Sequence, residues 1–522
     1  MGQRGTGRVV VVGAGIGGLA AALDLSARGF DVVVLERAAA PGGKMREVAV
    51  GGARLDAGPT VFTMRWVFEA LFDAAGASFA DHLTLRPAAV LARHAWASGG
   101  RLDLFADAAR SADAIGDFAG PAEARGFLSF CERARRVYRA LEGPFIRAPR
   151  PSPLSLAAAA GPSGLAGLMG ASPFTTLWRA LGDHFRDGRL RQLFGRYATY
   201  CGSSPFLAPA TLMLVAHVEQ DGVWLVEGGM HRLARAVEGL AERLGTAFRY
   251  GAHVAEVRLE AGRAAGVVLS TGERVDAEAV VVNADTAAVA AGLFGPVVRG
   301  AVPRAERRDR SLSALTWATL AEAEGFPLSR HTVFFSDDYA AEFDDLFKRG
   351  RLPASPTAYI CAQDRGAEAG GGAAPSGPER LLCLVNAPPT GDAAPPSPAE
   401  TERCELATFR LLERCGLTLR RRETVTTGPA EFERLFPATG GALYGRASHG
   451  WAASFARPGA RTTLPGLYLA GGSAHPGAGV PMAALSGRLA ASSIASDLAK
   501  ATTRASTGRS RGTATLGGTW TR

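Results

Sequence analysis

The stretch RVVVVGAGIGGLAAALDLSARGFDVVVLER, residues 8–37, constrains this chain more than any other. Val9 to Val12 form an unbroken β-branched run, the pattern of a strand buried on both faces of a parallel sheet. Gly13, Gly15 and Gly18 then occupy the G-x-G-x-x-G positions, and an alanine-rich run over residues 19–27 has helical character. Gly29 ends that helix, and Asp31 to Leu35 reads as a second apolar strand. Gly13 permits the tight turn, Gly15 lets backbone approach a pyrophosphate, and Gly18 lets helix pack on strand. The pyrophosphate would rest on the helix N-terminus, where free N–H groups and the dipole favour negative charge. Glu36 closes the second strand, where a carboxylate accepts both ribose hydroxyls and disfavours a 2′-phosphate. The ligand expected is an adenine dinucleotide lacking that phosphate, FAD or NAD.

With 522 residues, 47% of them hydrophobic, the chain is long enough for two or three packed domains and too apolar for disorder throughout. Its six cysteines are scattered with no CxxC pair, which disfavours metal clusters and disulfide scaffolds and fits a reducing cytoplasm. The net charge of +9 suits an anionic lipid surface as well as a nucleic acid. Outside the Ser/Thr/Gly/Arg-rich tail, residues 501–522, which is expected to be disordered, the charge is dispersed, so nucleic acid is not expected. No signal peptide and no uninterrupted apolar run of about 20 residues is evident. The nearest approach, PLSLAAAAGPSGLAGLMGASPF (residues 153–174), is broken by Pro and Gly and reads as a surface loop or a short membrane-dipping element.

The chain continues AAAPGGKMREVAVGGARLDAGPTVFTM (residues 38–64), with a Pro41-Gly42-Gly43 loop, Lys44 and Arg46, and an Asp56-Ala57-Gly58-Pro59 turn. Here it resembles the flavin-containing amine oxidase and carotenoid desaturase superfamily, whose pattern is a dinucleotide fold, E-x(n)-GG-[RK], and a strand ending in a D/E-x-G turn. The resemblance implies an α/β fold: a Rossmann-like FAD-binding domain with an inserted α+β substrate domain. It makes FAD the cofactor and places contacts on Gly13, Ala14, Gly15, Ile16, Gly17 and Gly18, on Glu36 and Arg37, on Gly43, Lys44 and Met45, and on Gly58, Pro59 and Thr60. Val254 would pack at the adenine end, with Asp285 of the Asn283-Ala284-Asp285 turn closing the same sheet. A late strand, GLYLAGG, and helix, GVPMAALSGRLAASSIASDL, would return to hold the flavin through Gly471, Gly472, His475, Gly479, Val480 and Met482. Many relatives carry an acid after the glycine of that strand; here Gly472 and Ser473 stand there, so that contact is absent or replaced by backbone N–H groups.

SAHPGAGVPM is similar to a carotenoid desaturase signature, and HTVFFSDDYAAEFDDLF and FPATGGALYGRASHG are similar to the middle of those enzymes. PGGKMREV and DAGPTVFTMRWVFEALF most resemble the bacterial 1-hydroxycarotenoid 3,4-desaturases, also called methoxyneurosporene dehydrogenases. The resemblance implies desaturation of an acyclic 1-hydroxycarotenoid, with oxygen or a quinone as electron acceptor, by an enzyme resting peripherally on a membrane. Hydride loss beside a polyene leaves a delocalised cation, so no strong nucleophile is needed, and no residue is assigned as catalytic and none as a metal ligand. His475 reads as a residue fixing its loop by hydrogen-bonding backbone, or as a base near the flavin. The substrate predicts an apolar tunnel with one polar spot; its candidates are Phe62, Met64, Trp66, Phe68, Trp224, Trp317, Phe334, Phe335 and Tyr444. The nucleotide domain is expected at 7–100, 230–300 and 440–500, with substrate parts at 101–229 and 301–439. Other readings are a related desaturase or isomerase, an amine oxidase, or a prenyl-binding relative of the GDP-dissociation-inhibitor type.

Overall fold

The computed structural model describes residues 7–156, 174–366 and 375–510. The apolar stretch at 153–174 and the loop at 365–380 therefore lie partly outside the described residues, as does the tail beyond Ser510.

The opening motif folds as its residues require. Strand β1 (Arg8–Val12), helix α1 (Ile16–Ala27) and strand β2 (Asp31–Glu36) follow one another, with Gly29 in the left-handed region at φ 87° just past the helix end. Five parallel strands form the first sheet, in the order Leu467–Leu469, Ala279–Val282, β1, β2, Ala247–Tyr250. Val9 and Val11 face one core and Val10 and Val12 another, so both faces of β1 are covered. The late strand Leu467–Leu469 thus extends the sheet that β1 and β2 begin.

Helix α1 and the final helix, Val480–Ser510, pack closely because both present small residues. A Cβ on Gly487 would lie 2.1 Å from the Gly17 carbonyl oxygen, so the backbones touch there. That helix runs to Ser510, ten residues into the segment expected as a disordered tail. A three-stranded antiparallel sheet (Val254–Glu260, Arg263–Leu269, Arg274–Asp276) covers the other face. Its first turn, Ala261-Gly262, has positive φ at both residues, 49° and 75°, as a two-residue hairpin demands.

A second, seven-stranded sheet runs Leu417–Thr427, Ser313–Gly325, Glu379–Ala387, Ala358–Ala362, His331–Phe335, Val90–Trp96, Arg101–Phe105. Only the His331–Phe335 and Val90–Trp96 pair is parallel. Residues 90–96, expected with the nucleotide part, therefore give their strand to this sheet. Helices Pro121–Leu141, Leu214–Gln220 and Tyr339–Phe347 stand beside it, and a cavity opens between the two sheets. No helix among the described residues is long and apolar enough to cross a membrane.

Candidate cofactor and substrate site

Gly15 is the N-cap of α1 and offers no capping side chain, so the first N–H groups of the helix face the cavity unanswered by the helix itself. Asn283, at the end of the neighbouring strand, fills the space behind this turn. Its Nδ2 donates to the Gly13 carbonyl at 3.2 Å. A Cβ on Gly15 would come within 2.8 Å of that Nδ2, and one on Gly17 within 2.7 Å of Asn283 Oδ1 and of the Gly471 nitrogen. A Cβ on Gly18 would sit 2.1 Å from the Gly13 carbonyl oxygen. The glycine pattern thus serves close packing around one asparagine as well as approach of a ligand. Asn283 belongs to the quoted Asn-Ala-Asp turn but gave no signal as a site residue, because its role depends on a strand 270 residues from Gly13.

Glu36 ends β2 almost buried, its Oε2 accepting the Ala14 N–H and its Oε1 the Ala38 N–H, both at 2.7 Å. Two backbone donors fix the carboxylate at the cavity wall and leave each oxygen a further lone pair for a hydroxyl. The loop Pro41–Met45 folds back on the turn: the Gly42 N–H donates to the Ala14 carbonyl at 2.8 Å, and Gly43 lies against Gly15. Gly58 passes beneath that loop, where a Cβ would stand 1.9 Å from the Lys44 carbonyl oxygen.

Lys44 donates through Nζ to the Leu443 carbonyl at 2.6 Å and lies over the Phe436 ring. Burial lowers its pKa, while Asp285 opposes that shift. The loop is thereby tied to residues 436–443 of the opposite wall. Asp285 caps helix Thr286–Ala291 through Oδ1, and its buried Oδ2 has no hydrogen-bond partner among the described residues. At the position where the family resemblance predicts an acid, the Gly472 carbonyl accepts from Arg457 at 2.9 Å and Ser473 Oγ accepts the Thr286 N–H at 3.0 Å. The Gly471 N–H is engaged by Ser486 Oγ at 2.6 Å.

Arg457, missed in the sequence, is buried in this wall and also donates to the Tyr444 and Arg446 carbonyls. An arginine amid ASFARPGA carries no motif, and only the fold reveals that it staples residues 444–446 to the late strand.

One cavity of about 880 Å³ joins Gly13, Gly15, Ile16, Gly17, Glu36, Arg37, Gly43, Lys44, Met45, Gly58, Pro59, Thr60, Val254, Asp285, Gly471, Gly472, Gly479, Val480 and Met482. Ala14, Gly18 and His475 stand outside its lining: Ala14 serves through its backbone bond to Glu36, and Gly18 through close packing. His475 points away, its Nε2 donating to the Phe145 and Ala148 carbonyls at 3.0 and 2.9 Å. Carbonyls only accept, so the Nε2 proton is fixed, and the residue anchors its loop rather than facing the cavity. Arg37 reaches the cavity edge but spends its guanidinium on the Arg434 and Leu435 carbonyls.

Burial, aided by the Arg457 charge, pushes the His475 pKa down to about 4. Its unfolded value is near 6.5, so His475 supports the fold fully above that pH and loses this support as pH falls toward 4. Buried His94 and His331, held to about 3, act in the same sense. Wild-type protein is therefore expected to melt at lower temperature as pH drops from 7 to 4, and His475→Gln to fall less steeply while keeping its flavin at pH 7. An equally steep acid limb, or loss of flavin, would contradict this placement.

Of the nine tunnel candidates, Met64 and Tyr444 line the cavity. Phe62 and Phe68 instead stack with Phe79 in the core below α1. Trp224 lies edge-on to Phe62, and the Arg147 guanidinium covers Trp66 at 3.9 Å. Phe335 packs on Trp96 and Tyr339 without lining the cavity, while Trp317 and Phe334 point to the opposite face of sheet two, Trp317 donating to Glu405 at 3.0 Å. Their neighbours Thr316 and Val333 face the cavity, with Leu382, Leu384 and Asn386, as strand alternation dictates.

An uncapped glycine turn with an anchored carboxylate, opening into a large and chiefly apolar chamber, defines an oxidoreductase built around a bound adenine dinucleotide. The glycine clearances, helix donors and Glu36 fit FAD. The chain belongs to the flavin containing amine oxidoreductase family, whose model matches residues 16–495, and within it to the carotenoid desaturases. It is 56% identical to a hydroxyneurosporene desaturase of Rubrivivax gelatinosus, over 99% of this chain and 97% of that one. It is 47% identical to one of Cereibacter sphaeroides, over 94% and 98%. An engineered putrescine oxidase shares the fold with a TM-score of 0.60 at 15% identity, over 94% of this chain and 99% of that one. The protein is an FAD-dependent oxidoreductase.

Proposed function

We propose that the protein introduces a C-3,4 double bond into an acyclic 1-hydroxycarotenoid. The observation that carries this reading is the continuity of the cavity, from the nucleotide turn at Gly15 to an apolar chamber lined by Leu212, Val215, Phe145 and Phe455. Such a chamber suits a long hydrocarbon and would exclude water from the reacting carbons. FAD held by the glycine turn and Glu36 would supply the two-electron acceptor chemistry that removing a hydride and a proton from adjacent carbons requires. This chain's residues orient the polyene, which on entering displaces water from around the reacting carbons.

The likeness to proteins named for hydroxyneurosporene supports the choice of substrate. A membrane source for the substrate is supported by Phe174, which is 70% exposed, lies against Trp451, and lines the cavity with it. Apolar side chains at a cavity mouth give a lipid-borne polyene a path inward.

The test supplies 1-hydroxyneurosporene in liposomes to FAD-loaded protein, with oxygen or a quinone as acceptor. The expected product has lost two hydrogens at C-3,4, and the protein floats with the liposomes. A product desaturated elsewhere, isomerised or oxygenated would overturn the assignment, and protein left in the aqueous layer would overturn the membrane route.

A further inference from the structure

Away from the nucleotide turn, the cavity wall carries a second group of polar side chains, none of them among the residues assigned to the cofactor. Arg196 and Tyr200 come from the short helical segment Arg196–Cys201, Glu219 from helix Leu214–Gln220, Tyr339 from helix Tyr339–Phe347, and Tyr359 from strand Ala358–Ala362. Tyr200 donates to Glu219 Oε1 at 2.9 Å and accepts from Arg196 Nη2 at 3.3 Å. Tyr197 bonds the other Glu219 oxygen. Nearby, Tyr359 shares a 2.7 Å hydrogen bond with Thr60.

Two polar atoms are left over. Arg196 Nε and Tyr339 Oη are both buried and have no hydrogen-bond partner among the described residues. The two side chains lie within electrostatic range of each other, and both line the cavity. Water can satisfy them while the chamber is wet. A hydrocarbon entering it displaces that water and leaves each group desolvated without return, so a wholly apolar occupant is penalised. The guanidinium only donates, and the phenol can donate or accept. Glu219 already answers the Arg196 charge through Tyr200, so the group these atoms call for is a neutral oxygen that can both accept and donate. An alcohol has that chemistry, and a carboxylate does not.

We infer that Arg196 and Tyr339, braced by Tyr200 and Glu219, form the specificity site that receives the hydroxyl at the end of the polyene. The inference rests on the proposed desaturation of a hydroxylated polyene and names the residues that select it. Around Tyr339 the ring packs on Trp178, Phe335 and Phe343, contacts that phenylalanine would keep.

The test compares wild type with Tyr339→Phe on a 1-hydroxylated acyclic carotenoid and on the same polyene lacking the hydroxyl. Binding is followed in parallel by the absorbance shift of the polyene on entering the protein. For Tyr339→Phe, kcat/KM is expected to fall roughly tenfold on the hydroxylated substrate and by less than about twofold on its deoxy counterpart. Arg196→Gln should compress the same ratio. Equal losses on both substrates, or none, would overturn the inference. If wild type desaturates neither polyene, the proposed reaction fails and binding decides the hydroxyl site by itself. Tighter binding of the hydroxylated polyene, lost in Tyr339→Phe, would then sustain the site, and equal binding of both by wild type would overturn it.

Discussion

A chain carrying Gly15→Val is expected to fold yet purify without the yellow of bound flavin. Gly15 has φ −69° and ψ 165°, extended backbone that any residue adopts, so valine brings no strain of its own. Among the described residues the only close neighbour of its Cβ would be the Asn283 amide, the movable end of a side chain. The methyl groups would instead occupy the turn where the pyrophosphate must meet the helix N-terminus. Flavin content per chain should fall more than about tenfold, a loss of more than about 1.4 kcal/mol of binding, with a near-wild-type circular dichroism spectrum. Gly18→Val is the contrasting control, because its Cβ would collide with the Gly13 backbone and the protein should not fold. Retention of full flavin by Gly15→Val would refute the cradle assignment.

The largest effect on stability is expected at Arg457. Its guanidinium donates to the Tyr444, Arg446 and Gly472 carbonyls, joining the segment around Tyr444 to the late strand. Arg457→Met fills much of the volume but leaves buried carbonyls without donors, at a cost of about 3–5 kcal/mol. Arg457→Lys should recover part of this, since one ammonium cannot reach the carbonyls in the same fork. Thermal melting of the flavin-free protein reads the effect directly, and an unchanged midpoint for Arg457→Met would show that the staple holds nothing. Because the same segment accepts the Lys44 ammonium at Leu443, flavin affinity should fall together with the melting temperature.

What could be read from the sequence follows from where each signal resides. The β1–α1–β2 unit was legible because strand, turn, helix and terminal acid lie within 30 consecutive residues and each obeys a local rule. The late strand and helix were legible as a second wall only because the first was plainly half a structure. Trp317 and Phe334 went to the wrong side for a simple reason. Bulk suggests a tunnel wall, but strand parity decides, and parity is fixed by Thr316 and Val333 facing the chamber. Tyr339 and Arg196 gave no signal, since each is ordinary in its own segment and becomes notable only when the fold leaves its polar atom unpaired. His475 shows the opposite case: conspicuous in a glycine-rich motif, it turns its ring to the Phe145 and Ala148 carbonyls.

The parallel sheet has a consequence for how the protein is made. Strand β1 leaves the ribosome long before Leu467–Leu469, which extends the same sheet beyond Ala279–Val282. At roughly 5–20 residues per second, the glycine turn waits on the order of 20 to 90 seconds for its facing wall. Through that interval the small-residue face of α1 that will receive the final helix stays uncovered, and no complete cradle exists for FAD to enter. Flavin capture is thus expected only once this strand has emerged, and a chain truncated before residue 467 is expected to purify without flavin.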